Sequence, residues 1–151
     1  MAKVLLITGA SSGIGAATAR RAVEAGWQVA LAARSAHKLE GLVAELGGER
    51  AAAFPADVTD FASQERLVAA VRGRFERIDA VFANAGVGGA PGGFSAAPVE
   101  PWRQMVEVNI LGVGYTLRAV LADIKAARGH VVITGSVAGR RTIPGSMYSA
   151  T

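Results

Sequence analysis

Thr8-Gly9-Ala10-Ser11-Ser12-Gly13-Ile14-Gly15 is the stretch on which the fold turns. It follows the apolar run Val4–Thr8, which reads as a strand, and precedes Gly13–Ala25, which reads as a helix with Gly26 at its C-cap. Glycine allows positive φ and a close approach of backbone to a ligand. A helix N-terminus offers unpaired N–H groups and a partial positive charge, which suit a pyrophosphate. Ser11 and Ser12 add hydroxyl donors. No Lys-Ser or Lys-Thr follows the last glycine, so the loop is not a Walker A loop. Its spacing is G-x-x-x-G-x-G rather than G-x-G-x-x-G. Packing of strand on helix is the plainer reading of such glycines, but a position at the start of a βαβ unit favours the phosphate reading.

Outward from this loop, strand and helix patterns alternate. Gln28–Ala33 reads as a second strand. Ala36–Leu46 reads as a helix, with Leu39, Leu42, Val43 and Leu46 at helical spacing, closed by Gly47-Gly48. Ala51–Phe54 is a short strand stopped by Pro55, and Asp60–Phe75 a helix with Asp60 as N-cap. Ala80–Ala83 is a fourth strand and Val87–Pro98 a Gly- and Pro-rich loop. Pro101–Ala127 reads as one long helix, His130–Thr134 as a fifth strand, and residues 135–147 as a loop. Five strands alternating with helices predict a parallel sheet covered on both faces, in the doubly wound order 3-2-1-4-5. There is no internal repeat and no linker, so residues 1–151 are expected to form one domain.

The composition narrows the function. The 151 residues are 51% hydrophobic and 19% charged, an ordinary globular balance, and a chain of this length buries roughly 70% of its unfolded surface. The absence of cysteine removes disulfides, thiolate zinc sites and cysteine nucleophiles. The net charge is +4, but the basic residues are scattered, so no nucleic-acid partner is expected. The only histidines, His37 and His130, have no partner at ligand spacing, so no metal is expected. No secretory signal is visible and no apolar run approaches the ~20 residues of a membrane span, so a cytoplasmic protein without a membrane partner is expected.

Several further segments fall in an order that resembles the short-chain dehydrogenase/reductase family. The octapeptide resembles that family's cofactor loop. Ala56-Asp57-Val58 resembles the segment that meets the adenine, and Asn84-Ala85-Gly86 the N-A-G after strand four. Asn109 stands in the long helix where the family has a structural Asn. Ser136 follows strand five, and Tyr148 opens what resembles Y-x-x-x-K. The resemblance covers the whole chain and implies a Rossmann-like α/β domain. In that family Gly9, Ser11, Ser12, Gly13, Ile14 and Gly15 would hold the pyrophosphate, and Asp57 and Val58 the adenine. Asn84, Ala85 and Gly86 would line the strand-four end, with Asn84 more structural than ligand-contacting. Asp57 also has a local reading, as the cap of a turn.

Cofactor preference is read at the tip of the second strand. NAD enzymes usually place an acid there for the ribose 2′-OH. Here Arg34 and Ser35 follow Ala32-Ala33, and Arg34 can pair with a 2′-phosphate, which favours NADP(H). By the same resemblance Tyr148 is the general acid/base and Ser136 orients the oxygen of a small carbonyl or alcohol substrate. A tyrosine's ordinary pKa near ~10 suits this poorly at neutral pH. The family lowers it with a lysine four residues on, supported by the structural Asn, here Asn109. A charge at ~4 Å is worth about 4 kcal/mol, or roughly three pKa units. Thr151 stands one residue short of that lysine. The resemblance therefore implies a domain incomplete at its C-terminus, truncated after strand five and of little activity by itself. The competing expectation is a non-catalytic dinucleotide-binding module or inactive fragment. Finally, Val106, Val108, Ile110, Leu111, Val113, Leu117, Val120, Leu121 and Ile124 occupy more than one stripe of the long helix. With strand five at a sheet edge, this predicts a homo-oligomer through helix 101–127.

Overall fold

The computed structural model describes residues 2–89, 93–141 and 147–151. Five parallel strands run β1 (Val4–Thr8), β2 (Gln28–Ala33), β3 (Ala51–Pro55), β4 (Ala80–Ala83) and β5 (His130–Ile133). They form one sheet in the order β3-β2-β1-β4-β5, as the alternation predicts. Helices α1 (Gly13–Glu24), α2 (Ala36–Leu46) and α3 (Phe61–Phe75) fill the first three crossovers. A short α4 (Gly93–Ala96), then α5 (Glu100–Val106) and α6 (Val113–Ala127), precede β5.

The two-residue period of the strands divides the core. Leu6, Ala30, Ala32 and Val81 face α3 and α6, packing with Leu67, Val71, Val120 and Ile124. Their neighbours Ile7, Val29, Leu31 and Phe82 face α1 and α2, packing with Ala19, Val23, Leu39 and Leu42. Both faces of the inner strands are thus apolar, as a parallel sheet between two helix layers requires. The ends of α1 follow from its sequence. Gly26 takes φ +85°, its N–H bonds to Val23 O at 3.0 Å, and Trp27 N–H bonds to Ala22 O at 2.9 Å, a Schellman stop. Asp60 caps α3, accepting from Ala62 N at 2.9 Å.

Several boundaries differ from expectation: α1 ends at Glu24 and β5 at Ile133, each one residue early. Pro55 is the last residue of β3, paired with Ala33. A proline is tolerated there because β3 is an edge strand. The segment expected as loop 87–98 contains α4, and its residues 90–92 lie outside the described residues. The expected loop 135–147 contains a 3₁₀ turn at Val137–Gly139, its residues 142–146 lie outside the described residues, and a second turn spans Met147–Ala150.

The long helix also differs. It starts at Glu100 and widens to π geometry over Glu107–Gly112 before resuming as α6. The continuous stretch Glu100–Ala127 has 28 residues and is long and apolar enough to cross a membrane, although charged residues interrupt its apolar runs. Here Met105, Val108, Thr116, Val120 and Ile124 are buried within the domain. A bidentate pair ties it to α3, with Arg72 Nε and Nη2 each 2.6 Å from an Asp123 carboxylate oxygen. Ile110, Leu111 and Leu121 remain exposed, as do Val131, Val132 and Ile133 of the edge strand β5.

Candidate active site

The strand order reverses between β1 and β4, and ligands of open α/β sheets bind in the crevice at such a point. A cleft of about 1040 Å³ opens there, at the C-terminal ends of the strands. Gly9, Ser11, Ser12, Gly13 and Ile14 form one wall; Arg34 and Ser35 stand at one end with Asp57 and Val58. Asn84, Ala85 and Gly86 lie at the middle, and Asn109, Ser136 and Tyr148 at the other side. Gly15 is the one expected site residue that does not line the cleft. It lies beneath the loop, where a Cβ would sit 2.4 Å from Gly9 O and 2.8 Å from Asn84 Nδ2.

The loop is fixed to β4 by a small hydrogen-bond set. Thr8 Oγ1 accepts from Asn84 N at 3.1 Å and from Ala85 N at 3.2 Å. Asn84 Nδ2 donates to Thr8 O and Gly9 O at 3.1 and 3.3 Å, and its Oδ1 accepts from Thr134 Oγ1 at 2.9 Å. Asn84 therefore ties the end of β1 to Thr134, the residue that follows β5. Thr8 and Thr134 escaped the sequence reading because a strand-end threonine is commonplace; their partners are set only by the pairing of β1 with β4 and β5.

At the Arg34 end, Asp57 caps its own turn. Its Oδ1 accepts from Thr59 N and Thr59 Oγ1, both at 2.9 Å, while Ser63 Oγ accepts from Asp57 N at 3.1 Å. Gln64, fully buried, donates to Asp57 O at 3.0 Å and accepts from Thr116 Oγ1 at 3.0 Å. Gln64 was missed, although a polar residue in register with Leu67, Val68 and Val71 on the apolar face of α3 is a legible signal. Lys38 also lines this end of the cleft.

At the opposite end Ser136 is extended and caps the 3₁₀ turn, its Oγ accepting from Ala138 N at 3.1 Å. Its O–H proton has no acceptor among the described residues. Tyr148, half-buried, stands in the Met147–Ala150 turn. Asn109, inside the π segment, accepts from Val87 N at 2.9 Å and donates to Val87 O at 3.0 Å and to Thr151 Oγ1 at 2.9 Å. It thus connects the Gly86-Val87 strand exit to the turn of Tyr148. A π segment at such a place is a frequent companion of functional sites. Among the described residues no group of three His, Asp or Glu side chains gathers to hold a metal.

At the N-terminal ends of β1 and β4, opposite the cleft, Asp79 is buried and accepts from Val4 N at 2.8 Å and Arg77 Nε at 2.8 Å. Burial pushes this carboxyl up, but the hydrogen bonds from Arg77 and Val4 and the charges of Arg77 and Lys3 outweigh it and hold it below the ordinary carboxylate range.

A parallel sheet that reverses its order beside a glycine-rich strand-to-helix turn defines the dinucleotide-binding Rossmann class. Comparison with known proteins narrows the class. The short chain dehydrogenase family model matches residues 3–151. The chain belongs to this family. It is 42% identical over 154 aligned positions to an uncharacterized oxidoreductase of Listeria monocytogenes, covering 99% of this chain and 61% of the relative. Among solved structures it superposes with a TM-score of 0.93 on an alcohol dehydrogenase from the archaeon Thermococcus sibiricus complexed with 5-hydroxy-NADP, at 38% identity, covering 99% of this chain and 65% of that one. A short chain dehydrogenase/reductase from Burkholderia phymatum in complex with NAD gives a TM-score of 0.90 at 31% identity, covering 99% of this chain and 54% of that one. The chain thus spans about three fifths of the length of the Listeria relative.

Proposed function

We propose that the protein carrying this chain is an NADP(H)-dependent oxidoreductase acting on a small carbonyl or alcohol. The observation that carries the reading is that one cleft collects the phosphate loop, Arg34, the Asn84–Gly86 strand exit, Ser136 and Tyr148. The residues fit a dinucleotide. Gly13 takes φ +54° with open space where a Cβ would stand, so the loop backbone is bare toward the cleft. The family binds both NAD and NADP analogues, as the two solved structures illustrate. The preference for NADP(H) comes from this chain's own Arg34, at a strand tip without an acid.

When bound, the nicotinamide supplies or accepts the hydride. The chain's residues handle the oxygen and the proton. The Ser136 hydroxyl, with its Oγ held by Ala138 N, donates to the substrate oxygen. Tyr148 passes a proton to that oxygen in reduction and takes it back in oxidation. Asn109 acts on the turn of Tyr148 through Thr151. The exposed Ile110, Leu111 and Leu121 provide a face through which two copies associate, which sedimentation at several concentrations measures.

Steady-state reduction of small aldehydes and ketones tests the reading. NADPH is expected to bind more tightly than NADH, with Arg34→Ala narrowing the gap. Tyr148→Phe is expected to lower kcat by about 10² to 10⁴ while NADPH still binds. Tighter binding of NADH overturns the cofactor assignment, and turnover indifferent to Tyr148→Phe overturns the proton donor.

A further inference from the structure

Lys38 stands on the first turn of α2, four residues past Arg34, and lines the cleft together with Arg34 and Ser35. Among the described residues Arg20, Arg21, Arg66, Arg72, Arg77 and Arg103 each have a carboxylate partner. Arg34 and Lys38 have neither an ion pair nor a hydrogen bond among those residues. The acid at this end of the cleft is Asp57, whose Oδ1 is committed to Thr59. The first turn of α2 holds no acidic residue, and Ser35 makes no side-chain cap bond. Two like charges thus line one cleft, and Lys38 sits where a helix's own dipole disfavours a cation. An anion arriving in the cleft would meet both cations.

We propose that Lys38 is a second specificity-determining cation that, with Arg34 and Ser35, takes a phosphomonoester on the adenosine ribose. This rests on the NADP(H) reading above. The three groups divide the work by their chemistry. A guanidinium grips two phosphate oxygens in a fixed fork, an ammonium acts as a point charge on a flexible stem, and the serine hydroxyl donates to the third oxygen. Lys38 and Arg34 are both exposed, so neither is needed to fill the core.

Calorimetric titration of the protein with 2′,5′-ADP and with 5′-AMP separates the possibilities, because the two probes differ only in the 2′-phosphate. Lys38→Ala is expected to weaken 2′,5′-ADP about tenfold, the loss of one hydrogen bond between charged groups, and to leave 5′-AMP unchanged. Lys38→Arg is expected to restore most of the loss. If the unaltered protein binds the two probes equally, the NADP(H) reading falls and this inference falls with it. If the protein prefers 2′,5′-ADP and Arg34→Ala removes the preference while Lys38→Ala keeps it, the inference about Lys38 alone is overturned. Equal weakening of both probes by Lys38→Ala also overturns it, since that marks a general effect on the loop.

Discussion

The amide of Asn109 brackets the peptide of Val87, its Oδ1 accepting from Val87 N–H at 2.9 Å and its Nδ2 donating to Val87 O at 3.0 Å. One side chain therefore satisfies both backbone groups of the residue that leaves strand β4 for the cleft. Removing it strands a donor and an acceptor that are only partly reached by water. Asn109→Ala is expected to cost about 2 kcal/mol of folding free energy by urea denaturation. Asn109→Asp keeps the acceptor and is expected to cost less. Equal stability of Asn109→Ala and the unaltered protein would show that water replaces the amide.

Gly15 and Gly13 sit two residues apart and should fail differently. A Cβ on Gly15 meets backbone oxygen at 2.4 Å, so the loop or β4 must shift. Gly15→Ala is expected to destabilise by about 1–3 kcal/mol, as overpacking does. Gly13 has no neighbour within 4 Å of a Cβ but a φ of +54°. Gly13→Ala is expected to cost about 1 kcal/mol for the left-handed backbone, and to weaken dinucleotide binding because the methyl projects from the bare loop. Thermal unfolding with and without NADPH separates them, and a larger loss in Gly13→Ala contradicts the packing described.

Much of this was legible beforehand. The strand order follows from alternating patterns and the handedness of crossovers, and Asp60, Gly26 and Gly47 mark helix ends by residue type alone. The cleft residues are legible where their chemistry is local, as with the glycines and Arg34. Asn109 could be placed in the helix but not given its partner, because Val87 lies 22 positions away. The π widening has no composition signature; it appears only where the helix must serve both Val87 and the core. Gln64 was hidden for the opposite reason, since it occupies a position where apolar side chains are expected. Nothing in the sequence separates Lys38 from a solvated helix lysine; its place on the cleft is set by the fold.

Asp79 carries a pH signature. Its carboxyl is held below the ordinary range in the folded chain, so its ionised form stabilises the native state. That contribution is complete above the unfolded carboxylate value near ~3.9 and fades as pH falls through the lower folded value. Asp79→Asn is expected to cost about 2 kcal/mol at neutral pH, the loss of a charged hydrogen-bond partner for Arg77. The gap between variant and parent should then shrink steadily in denaturation series below about pH 4. A gap that stays constant down to pH 2 would assign the loss to shape rather than charge.

The position of β1 between β2 and β4 also orders the assembly of the chain in time. Pairing β1 with β2 joins Val4 to Gln28, and β2 with β3 joins Val29 to Ala51, both across one helical crossover. Pairing β1 with β4 joins Leu5 to Ala80, across 75 positions. The longer closure costs only about 1 kcal/mol more in chain entropy, but it must follow the search for the more distant strand. The seam between β1 and β4 is therefore expected to zip last, and pulse-labelled hydrogen exchange would see Val81 and Phe82 protected after Ala30 and Leu31. The cleft spans that seam, so a nascent chain has no complete pocket until its two halves meet, and any ligand held there acts as a staple across the final joint.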